Sequence, residues 1–296
     1  MTLLKFAKKI RTLFRISYWK LIDGLWFFIP MKRNYIVDNN KFSIGIVTYI
    51  NRYDKLFKPL IKNLCKIFPD TEIVIAINGY YDQDKQKKYL EEIKALLSKY
   101  TNIKYIEYNE GQSLSKLWNQ LIINSKNEKI FICNDDIKIA PYFRKNVEKS
   151  AILSKELGLL NWSWSHFLIS KKIIKNVGWF DERFPGVGNE DEDYEARLVI
   201  NGIIIESFEI NGLKNIIIQT QDFSYGKNTE TVNIKYVKEN KVVFDRKWDM
   251  LDDKKEGYVF VRLLGKYLKL KKGMETPDFY HKIDYSPLKS NSVVKN

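Results

Sequence analysis

Short, almost unbroken apolar runs recur along the first half of the chain, at 42–48 (FSIGIVT), 72–77 (EIVIAI), 103–106 and 129–133 (KIFIC). Runs of this length, rich in Ile and Val and closed by turn residues, predict strands buried on both faces. The stretches between them, 53–67, 83–99 and 112–125, mix polar and apolar positions over lengths that predict helices. Pro69-Asp70 and Asn78-Gly79 mark turns at strand boundaries. Strands alternating with helices predict an α/β domain: a mixed, mainly parallel, Rossmann-like sheet flanked by helices. After Pro141 the pattern predicts a helix to about 155, then a mixed region holding Trp162, Trp164 and Gly178. A helix over 190–201 is stopped by Asn201-Gly202. Strands are expected at 202–208, 215–220 and 231–244. The resulting organisation is an N-terminal extension (1–40), a central domain (41–225) and a C-terminal strand and extension (226–296), without internal repeats.

Charge changes this picture only at the ends. The formal net charge is +14. Residues 1–40 carry eight basic against two acidic side chains, and 258–296 carry eight against three, so the 217 residues between are close to neutral. A nearly neutral centre with acidic loops argues against a nucleic-acid partner. In the first segment Leu3, Phe6, Ile10, Leu13 and Phe14 recur at helical spacing among Lys8, Lys9, Arg11 and Arg15. The apolar run over 21–30 is too short to span a bilayer, and Asp23 interrupts it. Both this segment and 258–272 (YVFVRLLGKYLKLKK) are therefore expected to be basic amphipathic helices, lying on an anionic membrane surface or packed on the core. Cys65 and Cys133, each in an apolar run, are expected as buried thiols in a reducing compartment.

The candidate chemistry lies where strands end. In an open α/β sheet ligands bind beyond the carboxyl ends of the strands, which here places Thr48 to Arg52, Asn78 to Asp82, Gln112 to Ser115 and Asn134 to Asp136 together. Neither a GxGxxG after the first strand nor a GxxxxGK[ST] is present. Asn134-Asp135-Asp136 closes a buried strand with two adjacent carboxylates, which repel unless a cation or donor network offsets them. Read alone, the pair is either a turn or a site for Mg²⁺ or Mn²⁺ with phosphate oxygens. Glu190-Asp191-Glu192-Asp193 follows a loop with Pro185, Gly186 and Gly188. These acids are either a solvated first turn or carboxylates kept ionised by a helix N-terminus, one of them fit to act as a general base.

The order of these pieces carries a resemblance. From residue 42 to about 224 the chain resembles the family 2 inverting glycosyltransferases of GT-A fold. The resemblance rests on Val47-Thr48-Tyr49 with Asn51-Arg52, on Asn78-Gly79 with Asp82, and on Gly111 before Trp118-Asn119. It continues with Asn134-Asp135-Asp136 at the DXD position, Gly178-Trp179-Phe180-Asp181-Glu182, Glu190-Asp191 and Arg197. It implies that Thr48, Asn51, Arg52, Asn78, Asp82, Ser115, Asn134 and Asp135 contact the nucleotide sugar. Asp136 would hold Mn²⁺ or Mg²⁺, Asp191 would deprotonate the acceptor hydroxyl, and Asp181 would orient the loop. Glu190, Trp164 and His166 are placed on the acceptor side, with core packing the competing role for Trp162, Trp164 and His166. Two departures stand out: Asn134 replaces the first DXD acid, and Gln219 to Asp222 stand where the family often has a histidine, leaving Asp222, His281 or neither as a further metal ligand. The resemblance implies transfer from a nucleoside-diphosphate sugar, UDP-sugar first, to a glycan or lipid-linked hydroxyl. The setting it suggests is bacterial surface polysaccharide or lipopolysaccharide synthesis at the cytoplasmic face of the inner membrane, with the enzyme peripheral. The alternative is a catalytically weak glycosyltransferase-like protein that binds membrane and partner.

Overall fold

The computed structural model describes residues 42–216 and 236–281. Residues 1–41, 217–235 and 282–296 lie outside the described residues, and with them the N-terminal amphipathic segment, Gln219 and Asp222.

Four strands, β1 (Phe42–Thr48), β2 (Ile73–Ile77), β3 (Ile103–Glu107) and β4 (Lys129–Asn134), run parallel. The helices α1 (Lys58–Ile67), α2 (Gln83–Leu97) and α3 (Leu114–Asn124) connect them. A short β5 (Ile137–Ile139), α4 (Phe143–Glu148) and the hairpin of β6 (Leu157–Leu160) and β7 (Ser163–Ser170) follow, then α5 (Lys171–Val177), α6 (Glu190–Ile200), β8 (Ser207–Phe208) and β9 (Leu213–Asn215). The central sheet has the order β3-β2-β1-β4-β7-β6-β8, while β5 pairs with β9 apart from it. β7 is antiparallel to β4 and to β6, which makes the sheet mixed and mainly parallel, as expected.

Burial explains why β1, β2 and β4 are apolar at nearly every position. Ile44, Ile46, Ile73, Ile75, Phe131 and Cys133 pack with Phe57, Ile61, Leu64, Tyr89 and Ile93 from the α1 and α2 side. Val74, Ala76, Ile130 and Ile132 pack on the other face with Leu117, Trp118 and Leu121 of α3. Both cysteines are buried free thiols. The β6–β7 hairpin turns through Asn161 (φ 50°) and Trp162 (φ 59°), between the paired Leu160 and Ser163. Two consecutive left-handed residues define the type I′ class, which suits Asn-Gly. A bulky residue there costs about 1–2 kcal/mol.

Two expectations are corrected in the C-terminal part. The strand expected over 231–244 is replaced, from Val237 on, by a helix, α7 (Val237–Lys247). Its inward positions Asn240, Phe244 and Lys247 follow helical spacing, but two of the three are polar, so a scan for apolar periodicity passes over them. The amphipathic helix expected over 258–272 is a meander instead: β10 (Trp248–Leu251), β11 (Val259–Val261) and β12 (Lys266–Leu270), in the order β10-β12-β11. Gly265 at φ 62° makes the tight return that a helix would not contain. Trp248, Val261 and Leu268 pack with Phe184, Ala196 and Phe244, so this segment shares a core with α6.

Candidate functional site

The strand order places a switch point between β1 and β4, since the chain proceeds from β1 to β2 and β3 on one side and returns on the other. Val47 pairs with Asn134, which sets Thr48 beside Asp135. Thr48 Oγ1 donates to Asp135 Oδ2 (2.8 Å), and Arg52 Nη1 donates to Asp135 Oδ1 (2.6 Å). Arg52 Nη2 reaches Asp136 Oδ2 at 3.3 Å, and the guanidinium lies over the Tyr49 ring. Asp135 is fully buried, and burial pushes its carboxyl up to about 6 against the pull of Arg52 and Thr48. Asp136 is partly exposed. Arg52 closes a 3₁₀ turn that runs into a π turn before α1, an irregular entry that brings the guanidinium back over the strand ends.

The cleft beside this pair is lined by Val47, Tyr49, Arg52, Asn78, Gln112, Leu114, Asn134, Gly186 and Val187. Asn78 fixes its rim: Nδ2 donates to the Gln112 carbonyl (3.1 Å), and Oδ1 accepts from the amides of Gln112 (2.7 Å) and Gly79 (2.9 Å). A Cβ on Gly79 would lie 2.2 Å from the Glu110 carbonyl carbon, so a glycine is required by close approach of the two backbones.

The loop before α6 closes the other wall. The Leu114 amide donates to the Gly186 carbonyl (3.1 Å), and Asn240 Nδ2 donates to the Gly188 carbonyl (2.8 Å). Gly188 (φ 112°) and Asn189 (φ 66°) turn the chain into the helix, delivering four acids in its first turn. Glu190 is buried and accepts from the Gly188 amide; burial, and then the charge of Asp191, pushes its carboxyl up. Asp191 is half-buried and accepts from the Glu192 amide at 3.0 Å. Asp193 belongs to the interior: Arg197 Nε (2.9 Å), Trp248 Nε1 (2.9 Å) and Lys247 Nζ (2.6 Å) all reach it. Lys247 also donates to Asp181 Oδ2 (2.7 Å), which Arg183 grips from outside. Asn119 holds the neighbouring backbone, donating to the Phe180 carbonyl (2.9 Å) and accepting from its amide (3.0 Å).

The structure thus gathers Thr48, Arg52, Asn134, Asp135 and Asp136 at the ends of β1 and β4, with Arg52, Asn78 and Asn134 lining the cleft and Thr48 and Asp135 buried beside it, and sets Asp191 at the start of the helix whose leading loop lines that cleft. Other expected site residues are elsewhere. Trp164 is 4% exposed, packs on Phe167 and Tyr194 and donates Nε1 to Glu195 (3.3 Å), so it offers no surface to an acceptor. His166, paired with Cys133 across β4 and β7, is 2% exposed, and burial lowers it to about 4. Both are corrected to interior roles: alternation along a strand puts them among core side chains. Ser115 is fully buried in α3. Asp82 caps α2, accepting from the Lys85 amide (3.1 Å), and Asn51 is exposed. His281 is exposed, and no cluster of three acids, histidines or cysteines suited to a metal occurs among the described residues. Tyr49 and Gln112 were expected among the strand-end residues but without a role of their own, whereas Asn240 and Lys247 were not expected at the site at all. Asn240 and Lys247 did carry a signal, their i, i+7 spacing around Phe244.

No protein-family model matches the chain, and no curated protein matches it. Among solved structures the chain is similar to S. aureus TarS, at 16% identity and a TM-score of 0.45, covering 62% of this chain and 38% of that one. It is similar to TarS 1–349 in complex with UDP, at 15% identity and a TM-score of 0.45, covering 62% of each chain. A third is the mannosyltransferase PcManGT from Pyrobaculum calidifontis in complex with GDP-Man and Mn²⁺, at 12% identity and a TM-score of 0.43, covering 66% of this chain and 61% of that one. The chain spans well under half the length of TarS and 62% of its 1–349 form.

Proposed function

We propose that this protein transfers a sugar from a nucleoside-diphosphate sugar, UDP-sugar first, to a hydroxyl of a glycan or lipid-linked acceptor, with inversion. One observation carries the reading: Gly186 and Val187, which lead into the acidic turn of α6, line the same cleft as Arg52, Asn78 and Asn134 at the strand ends. A donor lying across the switch point would therefore present its sugar toward Asp191. Asn78 and Gln112 form the rim against which base and ribose would rest, and Arg52, held by Asp135, puts a fixed positive charge where a diphosphate departs. Asp191 takes the proton of the acceptor hydroxyl as its oxygen bonds to the anomeric carbon. The bond from that carbon to the diphosphate breaks on the opposite face, so the configuration inverts.

A divalent ion fits at one residue. Both Asp135 oxygens are committed to Thr48 and Arg52, whereas partly exposed Asp136 shares only Oδ2 with Arg52. One carboxylate completed by diphosphate oxygens and water is an ordinary setting for Mg²⁺ and is open to Mn²⁺. When bound, the ion would neutralise charge on the departing diphosphate.

A thermal-shift panel of nucleotide sugars with and without Mn²⁺ tests the reading. At a hundredfold excess over Kd, the right donor should raise the melting temperature by about 5–10 °C, and Asp136→Ala should remove the increment that Mn²⁺ adds. Stabilisation by no nucleotide diphosphate would sink the proposal.

The setting we propose is peripheral, at the cytoplasmic face of a bacterial inner membrane, in surface polysaccharide or lipopolysaccharide synthesis. It is supported by the basic amphipathic pattern of residues 1–40. No helix among the described residues is long and apolar enough to cross a membrane. Removing residues 1–30 should abolish co-sedimentation with vesicles rich in anionic lipid; undiminished sedimentation would overturn this part.

A further inference from the structure

Trp162 is placed against the grain of its local structure. It occupies the second position of a two-residue type I′ turn, at φ 59°, where glycine is the favoured residue and a bulky side chain is strained. The turn is held from β8 and the residues just after it, not by the indole: the Trp162 amide donates to Ser207 Oγ (2.7 Å), and Asn161 Oδ1 accepts from the Ile210 amide (3.1 Å). The indole contributes little to the core either, being 53% exposed where Trp164 is 4% exposed. A strained, exposed tryptophan whose one packing partner among the described residues is a surface guanidinium calls for a ligand.

Its neighbours indicate which. The Arg262 guanidinium lies 5.2 Å from the centroid of the Trp162 ring and reaches Glu195 Oε2 at 3.4 Å. Glu195, 1% exposed, also accepts from the Leu263 amide (3.1 Å), which ties the β11–β12 turn to α6. Glu195 stands four residues after Asp191 on α6, one turn along the same face. An open apolar cleft, with Phe260 and Ile203 in its wall, continues from Arg262 and Glu195. With Arg262 over one face of the indole, the other face can receive the polarised C–H face of a sugar ring, and the guanidinium edge can donate to ring hydroxyls or a sugar carboxylate.

We propose that Trp162 and Arg262 form the platform for a sugar ring of the acceptor glycan, joined through Arg262 to Glu195, which stands one turn of α6 from Asp191. The proposal deepens the transferase reading and rests on it for the role of Asp191. The full chain and its Trp162→Gly variant should be compared on an array of neutral and acidic oligosaccharides, with melting temperature and UDP binding measured beside it. The wild type should capture oligosaccharides, Trp162→Gly should weaken capture by about tenfold or more, and Trp162→Phe should restore part of it. Glycine suits the turn, so the melting temperature of Trp162→Gly should stay level or rise, whereas a structural tryptophan would lower it. Equal capture by Trp162→Gly, or no capture by a wild type that binds UDP, overturns the platform. So does loss of binding to anionic vesicles with glycan capture intact, which would make the patch a lipid contact. Failure to bind any nucleotide diphosphate would tell against the transferase reading alone and leaves the capture comparison to decide the platform.

Discussion

Replacing Asp191 with Asn should lower sugar transfer by about 10²–10⁴-fold, the usual contribution of a positioned general base, while donor binding and the melting temperature hold. The substitution keeps the shape of the side chain and its acceptance of the Glu192 amide, and removes its charge together with its capacity to take a proton. The neighbouring acids do not substitute. Glu190 is buried against the Gly188 amide, and Glu192 Oε2 is buried without a partner. Burial, the larger cause and one that outlasts the substitution, pushes both carboxyls up, so that near neutral pH they keep their own protons. Single-turnover transfer with donor in excess, read beside nucleotide-induced stabilisation, separates chemistry from binding. Unchanged transfer by Asp191→Asn would remove this residue from the reaction.

Lys247→Met should cost about 3–5 kcal/mol of stability, the range for removing one partner of a buried ion pair. That is a large part of the 5–15 kcal/mol available to a typical folded domain. Lys247 is fully buried and bridges Asp181 and Asp193, with Thr276 Oγ1 as a third acceptor at 2.6 Å. It joins α7 to both the Gly178 to Glu182 segment and α6, so its loss leaves two buried carboxylates sharing less positive charge. Acid should reveal the same network. Burial raises the Asp181 carboxyl, but Arg183 and Lys247 outweigh it and hold the group well below the ordinary carboxylate range. A depressed folded value contributes stability that is present above the unfolded value of about 3.9 and is lost as pH falls through the folded one. Urea midpoints for the wild type should therefore drop below about pH 4, and Asp181→Asn should flatten that part of the profile. A Lys247→Met protein as stable as the wild type would show that the bridge contributes nothing.

How legible the molecule is from its sequence varies along the chain. The parallel strands were readable because burial on both faces demands continuous Ile and Val, a demand that local composition displays. Asp82 was expected to contact the nucleotide, and that it caps α2 emerged only from the structure. The C-terminal part was not readable either. α7 turns Asn240 and Lys247 inward because partners distant in sequence, Gly186, Gly188, Asp181 and Asp193, satisfy them. Alternation in 258–272 is shared between a basic amphipathic helix and a meander, and the neighbouring α6 core selected the meander.

The two tryptophans of the β6–β7 hairpin show the same division. By residue type Trp162 and Trp164 are equivalent candidates for a sugar contact. Pairing of β7 with β4 and β6, together with the register shift at Leu159 and Leu160, buried one and left the other in the turn. Local sequence carried the first four strands and their intervening helices, the two acidic clusters and the turn residues near them, because these depend on neighbours within a few positions. The folded arrangement set which acids are spent on ion pairs, as Asp135, Asp181 and Asp193 are, which stay partly exposed, as Asp136 and Asp191 do, and which tryptophan faces solvent. Those outcomes depend on partners 50 to 90 residues away, as Arg52 to Asp135 and Lys247 to Asp181 illustrate. The pull of a buried charge on a distant partner leaves no local pattern in the chain.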